Sequence, residues 1–183
     1  MTTRIALLRA INVGGRNTVS MAELRDLLAE LGFANVQSVL QSGNLVFDSR
    51  AGTPTRLESL LEQAAKDRLQ LETAFFVRTA KEWAEIVAGN PFPDEAKRDP
   101  AHLVVLVLKG APDREHVTAL EEAIVGREVI RAGGRHLYIV YPDGIGRTKL
   151  TNALNEQKLG TQGTARNWNT VLKLASLAAA SSP

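Results

Sequence analysis

The sequence predicts an α+β protein built from two tandem ferredoxin-like (βαββαβ) halves with a C-terminal helix. Three observations lead there. Short apolar runs of strand length alternate with capped amphipathic stretches of helix length. Two of the strand pairs are joined by turns too short for a crossover, around Gln41-Ser42-Gly43-Asn44 and Ala132-Gly133-Gly134-Arg135, so they are antiparallel hairpins. The order strand, helix, strand, strand, helix, strand is read once before residue 91 and again after it. A single doubly wound sheet is the alternative, and the hairpins argue against it. The 183 residues suffice for one ordinary domain or two small ones.

The first strand is Arg4 to Ile11, whose nearly continuous apolar run suits burial on both faces. A Gly-Gly loop follows. Ser20 and Glu23 form a capping box, Val19 and Leu24 a hydrophobic staple, and Gly32 ends the helix. Its apolar face is Met21, Leu24, Leu27, Leu28 and Leu31. The hairpin strands are Val36–Leu40 and Leu45–Asp48. Thr53-Pro54 opens the second helix with a cap and a proline at its first position, and Leu57, Leu60, Leu61, Ala64 and Leu69 form its face. A strand over Thr73–Arg78 and a short helix capped by Thr79 and Glu82 close this half, and Asn90-Pro91-Phe92-Pro93 stops that helix.

The second half repeats the order. His102–Lys109 is the most apolar strand in the chain. Pro112 to Ala123 reads as a helix, Val129–Arg131 and His136–Tyr141 as hairpin strands, and Arg147 to Leu159 as a helix stopped by Gly160. A closing strand is expected near Thr164–Arg166. The two hairpins align loosely, Leu40–Leu45 against Ile130–Arg135. In the last helix Trp168, Val171, Leu172 and Ala175 share a face that Leu174 and Leu177 broaden. The expected domains are residues 1–91, the first half, and residues 92–183, the second half with the C-terminal helix; the boundary lies near Pro91–Pro100.

Composition sets outer limits. Hydrophobic residues at 44% and charged residues at 23% are a globular balance. The absence of cysteine excludes a disulfide scaffold, a thiolate metal site and a cysteine nucleophile. No apolar run reaches the about 18 residues of a membrane span, and the N-terminus lacks the pattern of a signal peptide. The expected protein is soluble and cytoplasmic, without a membrane partner. Net charge is +2, but residues 123–183 carry eight basic and three acidic side chains, an excess of five. Such asymmetry suits an anionic partner, or simply solvates a surface.

Five separated stretches carry a family likeness. Leu7-Leu8-Arg9-Ala10-Ile11-Asn12-Val13-Gly14-Gly15, Gln41-Ser42-Gly43-Asn44, Asn90-Pro91-Phe92-Pro93, Tyr141-Pro142-Asp143-Gly144-Ile145-Gly146-Arg147 and Arg166-Asn167-Trp168-Asn169-Thr170 resemble the bacterial family called domain of unknown function 1697. Thr148-Lys149 fits the family's usual continuation. The resemblance runs nearly end to end. It implies an α+β fold of two ferredoxin-like halves, singles out the polar loops as the family's signature, and supplies no activity, substrate or cofactor.

Three constellations are candidate ligand sites. In a βαββαβ unit the loop after the first strand and the hairpin lie at one end of the sheet, which gathers Asn12, Gly14, Gly15, Arg16, Gln41, Ser42 and Asn44. Glycines admit close backbone approach, and free N–H groups at a helix start favour an anion; turn chemistry alone also uses these residue types. Arg147, Thr148 and Lys149 bring two cations and a hydroxyl between a strand and a helix. Neither a Walker A loop nor a dinucleotide fingerprint fits their spacing. Read at the start of a helix, the two cations oppose its dipole, a local conflict of the kind found at functional sites. Arg166 and Asn167, beside Trp168, could stack on and hydrogen-bond a base, or serve as strand and cap.

No metal-ligand spacing joins His102, His116 and His136, and no G-x-S-x-G elbow occurs. Asp94, Glu95 and Asp99 read as solvated charges of a polar linker. The expectation is a binding module for an anionic ligand, nucleotide or nucleic acid, acting through polar Gly-rich loops, with no cofactor. The alternative is an enzyme acting on a small phosphate- or carboxylate-bearing metabolite, with Lys149 or a linker carboxylate as base.

Overall fold

Eight strands and seven helices are formed among the described residues, in a mixed α+β arrangement with two four-stranded antiparallel sheets. The computed structural model describes residues 1–12, 15, 17–50 and 52–181. The first six elements are β1 (Thr2–Leu8), α1 (Met21–Glu30), β2 (Ala34–Val39), β3 (Asn44–Ser49), α2 (Pro54–Leu69) and β4 (Phe75–Thr79). β1 is central, with β3 on one side and β4 on the other, and the strand order is β2-β3-β1-β4. Alternate residues Ala6, Leu8, Leu45, Phe47, Phe75 and Val77 share a core with Leu24, Leu28, Leu57 and Leu61 of α1 and α2. The opposite set, Ile5, Leu7, Val46 and Phe76, is fully buried as well. That double burial is why β1 is a continuous apolar run rather than an alternating one.

After α3 (Ala80–Ala88) and α4 (Pro93–Arg98), the pattern recurs as β5 (Leu103–Leu108), α5 (Arg114–Glu122), β6 (Val129–Ala132), β7 (His136–Val140), α6 (Asn152–Leu159) and β8 (Gly163–Asn167). The second sheet has the order β6-β7-β5-β8. Val104, Leu106, Ile139 and Leu137 pack with Leu120, Leu150 and Leu159. α7 (Trp168–Ser181) ends the described chain. Both strand orders are compatible with the expected ferredoxin-like arrangement. The chain divides into two compact units, Met1–Glu85 with the stretch from Lys173 onward, and Ile86–Leu172, so the divisions fall inside α3 and α7.

Local signals formed as read. Ser20 Oγ accepts the Glu23 N–H at 3.1 Å while Glu23 Oε2 accepts the Ser20 N–H at 2.8 Å. Thr79 and Glu82 close the same reciprocal box at 3.0 and 2.7 Å. Thr53 caps α2, and Gly32 adopts a left-handed φ of 83° after α1.

Other expectations are corrected. The stretch expected as a polar linker contains α4, because Pro93 stands at a first helical position where its missing N–H is no loss. The helix expected from Arg147 begins at Asn152, capped by Thr151. Thr148 Oγ1 takes the Leu150 N–H at 3.0 Å, a local bond that competes with helical pairing. Arg147 and Lys149 therefore sit in a loop ahead of α6, and not at a helix start where its dipole would oppose their charges. Leu60 and Leu172 are 44% and 43% exposed, outside the faces assigned to them.

The loose hairpin alignment is two residues out of register. Leu8 N–H donates to the Gly43 carbonyl and Leu108 N–H to the Arg135 carbonyl, each at 2.9 Å, so Gly43 corresponds to Arg135 and not to Gly133. Cross-strand pairing agrees, with Leu7 opposite Asn44 and Val107 opposite His136. The repeat extends to polar contacts. Thr73 Oγ1 donates to the Arg9 carbonyl at 2.6 Å, and Thr161 Oγ1 accepts the Gly110 N–H at 3.1 Å.

Candidate functional site

The β7–α6 loop, residues 141–151, is held at several points within its own unit. Tyr141 N–H donates to the His102 carbonyl at 2.9 Å, and Gly144 N–H donates to the Tyr141 carbonyl at 3.0 Å. Asp143 takes two hydrogen bonds from the Arg127 guanidinium, one of them from Nε at 3.0 Å. That pairing holds the Asp143 carboxyl below its ordinary value and raises Arg127. Thr148 Oγ1 donates to Glu128 Oε1 while accepting from Leu150. Residues 127 and 128, just before β6, thus pin both halves of the loop.

Arg147, between those pins, and Lys149, just beyond Thr148, are exposed. Among the described residues neither has an ion-pair or side-chain hydrogen-bond partner, whereas Arg98, Arg127, His102 and His116 of the same unit are each engaged by a carboxylate. Thr148 differs from its two neighbours, since its hydroxyl is already committed to Glu128.

At the first candidate site, the structure brings the loop after β1 to the hairpin turn. Asn12, at a φ of 56°, donates from Nδ2 to the Gln41 carbonyl at 3.1 Å and accepts the Val19 N–H at 2.9 Å. Gln41 and Ser42 are exposed. Asn44 is fully buried, and its amide donates to the Val39 carbonyl and to Ser42 Oγ, closing the hairpin. Gly43 has a φ of 76°, and a Cβ there would lie 2.7 Å from Ile11 Cδ1 and 2.8 Å from Leu8 Cβ. That close approach and the left-handed φ both call for glycine here. Gly15 is exposed, and Gly14 and Arg16 lie outside the described residues.

The third pair is spread over β8 and the start of α7. Arg166 is 8% exposed, donates to Thr164 Oγ1 and the Ala165 carbonyl at 2.8 Å, and is lowered to about 10 by burial. Asn167 Oδ1 accepts the Thr170 N–H at 3.1 Å, the cap expected of it.

Sequence reading missed a further grouping. Asp99 Oδ2 lies 2.8 Å from His102 Nδ1, and both line a cavity of about 470 Å³ with Phe92 and Tyr141. The spacing of three residues between a carboxylate and an imidazole was its one available signal.

A sequence model of the family described as "Protein of unknown function (DUF1697)" matches residues 1–138. The chain belongs to this family. Two of the five stretches that carry the likeness, Tyr141–Arg147 and Arg166–Thr170, lie beyond the matched residues. Among solved structures, the DUF1697 chain is similar to the conserved bacterial protein SP0830 from Streptococcus pneumoniae, at 27% identity and a TM-score of 0.74, covering 97% of this chain and 98% of that one. No curated protein gives a significant match. Among the described residues, no helix is long and apolar enough to cross a membrane, and no group of three His, Asp or Glu side chains is placed to hold a metal ion.

Proposed function

We propose that this DUF1697 protein is a cytoplasmic binding module for an anionic ligand, a nucleotide or nucleic acid, received on the β7–α6 loop. The carrying observation is that Arg147 and Lys149 stand exposed, unpaired among the described residues, on a loop anchored on both sides of Arg147, at Asp143 and at Thr148. An anchored loop lowers the ordering cost of binding. Arg147 can grip a phosphate bidentately, and Lys149 adds a point charge. In the first unit, the exposed edge formed by Asn12, Gln41 and Ser42 offers a second polar surface of the Gly-rich kind. The same reading takes each βαββαβ set as a ferredoxin-like half, residues 1–91 and 92–183, a frequent platform for nucleic acid.

The test is a titration with a labelled ten-nucleotide single strand and, separately, with ATP. Wild type should bind at least one of them at low salt, with affinity for the oligonucleotide falling as salt rises. Arg147→Ala with Lys149→Ala should abolish that binding and leave the unfolding midpoint unchanged. Undiminished binding by the double variant, or no binding of either probe by wild type, overturns the assignment.

A further inference from the structure

Asp143-Gly144 is the one place in the chain where an aspartate or asparagine precedes a glycine. Such a pair carries its own chemistry. The Gly144 nitrogen attacks Asp143 Cγ and a C–N bond forms. The carboxyl O–H leaves with the amide proton as water. A second water then reopens the five-membered imide. Opening at the Cγ–N bond restores aspartate. Opening at the bond from nitrogen to the Asp143 carbonyl carbon gives isoaspartate, with the chain rerouted through Cβ and Cγ. Glycine favours the attack, since no Cβ screens its nitrogen. The Asp143 side chain is 64% exposed, so water has access to it.

The structure opposes this chemistry at both reacting atoms. Asp143 Oδ2 accepts from Arg127 Nε at 3.0 Å and Oδ1 accepts from Nη2, so both carboxylate oxygens are engaged. The departing oxygen needs a proton, and the Arg127 guanidinium holds the Asp143 carboxyl below its ordinary value. Gly144 N–H donates to the Tyr141 carbonyl at 3.0 Å, which retains the proton that the nucleophile has to lose. Exposed ion pairs as a rule contribute little. A two-point guanidinium–carboxylate grip is the geometry that fixes position as well as charge.

We propose that Asp143-Gly144 is an isomerisation site kept dormant by Arg127, through its two-point hold on the Asp143 carboxylate. Conversion to isoaspartate lengthens the backbone by one methylene and leaves the carboxylate on Cα, so the anchor to Arg127 is undone. The site thereby limits the working life of the loop that carries Arg147 and Lys149. The chemistry itself does not rest on what that loop binds.

The protein is incubated folded at neutral pH, digested with trypsin, and the peptide of residues 136–147 is resolved into its aspartate and isoaspartate forms by chromatography and electron-transfer fragmentation. The same stretch incubated as a free peptide is the reference. In folded wild type, isoaspartate should form at least tenfold more slowly than in the peptide, a comparison that needs no variant. Arg127→Ala should raise the rate in the folded protein at least threefold. Thr148→Val cuts the loop's other anchor, to Glu128, and leaves the Arg127–Asp143 pair in place, so it should isomerise at the wild-type rate. Wild type as fast as the peptide, Arg127→Ala as slow as wild type, or Thr148→Val as fast as Arg127→Ala overturns the proposal. No ligand enters these measurements, so their failure is distinct from a failure of the anion-binding reading.

Discussion

Glu58 of α2 and Arg78 of β4 form an ion pair in which each side chain is 3% exposed, with 3.6 Å between Oε1 and Nη1. The same carboxylate oxygen accepts the Val77 N–H at 2.9 Å, and the guanidinium donates to the Val77 carbonyl at 2.8 Å. Removing one partner of such a pair strands a charge inside the protein. Glu58→Ala should therefore cost about 3–5 kcal/mol in urea unfolding. Glu58→Gln keeps an acceptor for Val77 and should cost less than alanine. A loss below about 1 kcal/mol, the size expected of a surface pair, would refute the buried arrangement.

Two hairpin glycines separate backbone strain from crowding. Gly43 and Gly134 both have left-handed φ, 76° and 79°, but a Cβ at Gly134 meets nothing within 4 Å, while at Gly43 it meets Leu8 and Ile11 inside 3 Å. Gly134→Ala should lose about 1–2 kcal/mol from conformation alone. Gly43→Ala should lose that and a further 1 kcal/mol or more, roughly, because the clash falls on close-packed core. Equal losses by thermal or urea unfolding would show that the packing around Gly43 yields freely.

What the sequence disclosed were contacts between near neighbours. The boxes of Ser20 with Glu23 and Thr79 with Glu82 span three residues, so residue type and spacing suffice. The order of elements along the chain and the antiparallel hairpins followed from turn lengths and the repeat. The Glu58–Arg78 pair and the Thr148–Glu128 bond span twenty residues each, and no local pattern announces them. Thr148 shows how this misleads. Its bond to the Leu150 N–H turns the chain away from a helix that composition alone would begin at Arg147. The candidate sites were legible to the same degree. The meeting of Asn12 with Gln41 follows from topology, whereas the close packing that explains Gly43, and the cavity that gives Asp99 and His102 a setting, needed three dimensions.

Tyr141 should make the protein sensitive to alkali. It is 3% exposed, and burial pushes its phenol up to about 12. An unfolded tyrosine titrates near 10. Between those values the unfolded chain releases a proton that the folded chain keeps. The stability present below about pH 10 is thus lost as pH rises, by about 3 kcal/mol in all. Arg166, lowered to about 10 by burial, acts in the opposite sense over the same range, because its folded form is the first to release a proton. Tyr141→Phe isolates the phenol, since Arg166 is common to both proteins. Between pH 9 and 11.5 the wild type should lose stability relative to Tyr141→Phe. Parallel profiles would mean that the phenol ionises as it does in water.

The two sheets receive their last strands in the same way. Glu62 Oε1 of α2 accepts the Phe75 N–H at 2.9 Å, and Glu156 Oε1 of α6 accepts the Gly163 N–H at 3.0 Å. Phe75 and Gly163 occupy matching places, opposite Leu8 and Leu108 at the ends of β1 and β5. Each N–H belongs to a buried residue at the start of its strand, so the carboxylate supplies an acceptor that water cannot. A charge-assisted bond of this kind contributes about 1.5–3 kcal/mol. Glu156→Ala should cost about that much, as should Glu62→Ala, since orphaning a buried donor has a similar magnitude. Glutamine keeps a carbonyl oxygen at the same reach and should restore more than half of the loss at either position. Amide hydrogen exchange reads the effect directly: the Phe75 or Gly163 N–H should lose protection in the alanine variant and regain it in the glutamine variant. If alanine leaves both the stability and the exchange of that amide unchanged, the glutamate is not what holds the strand's first N–H.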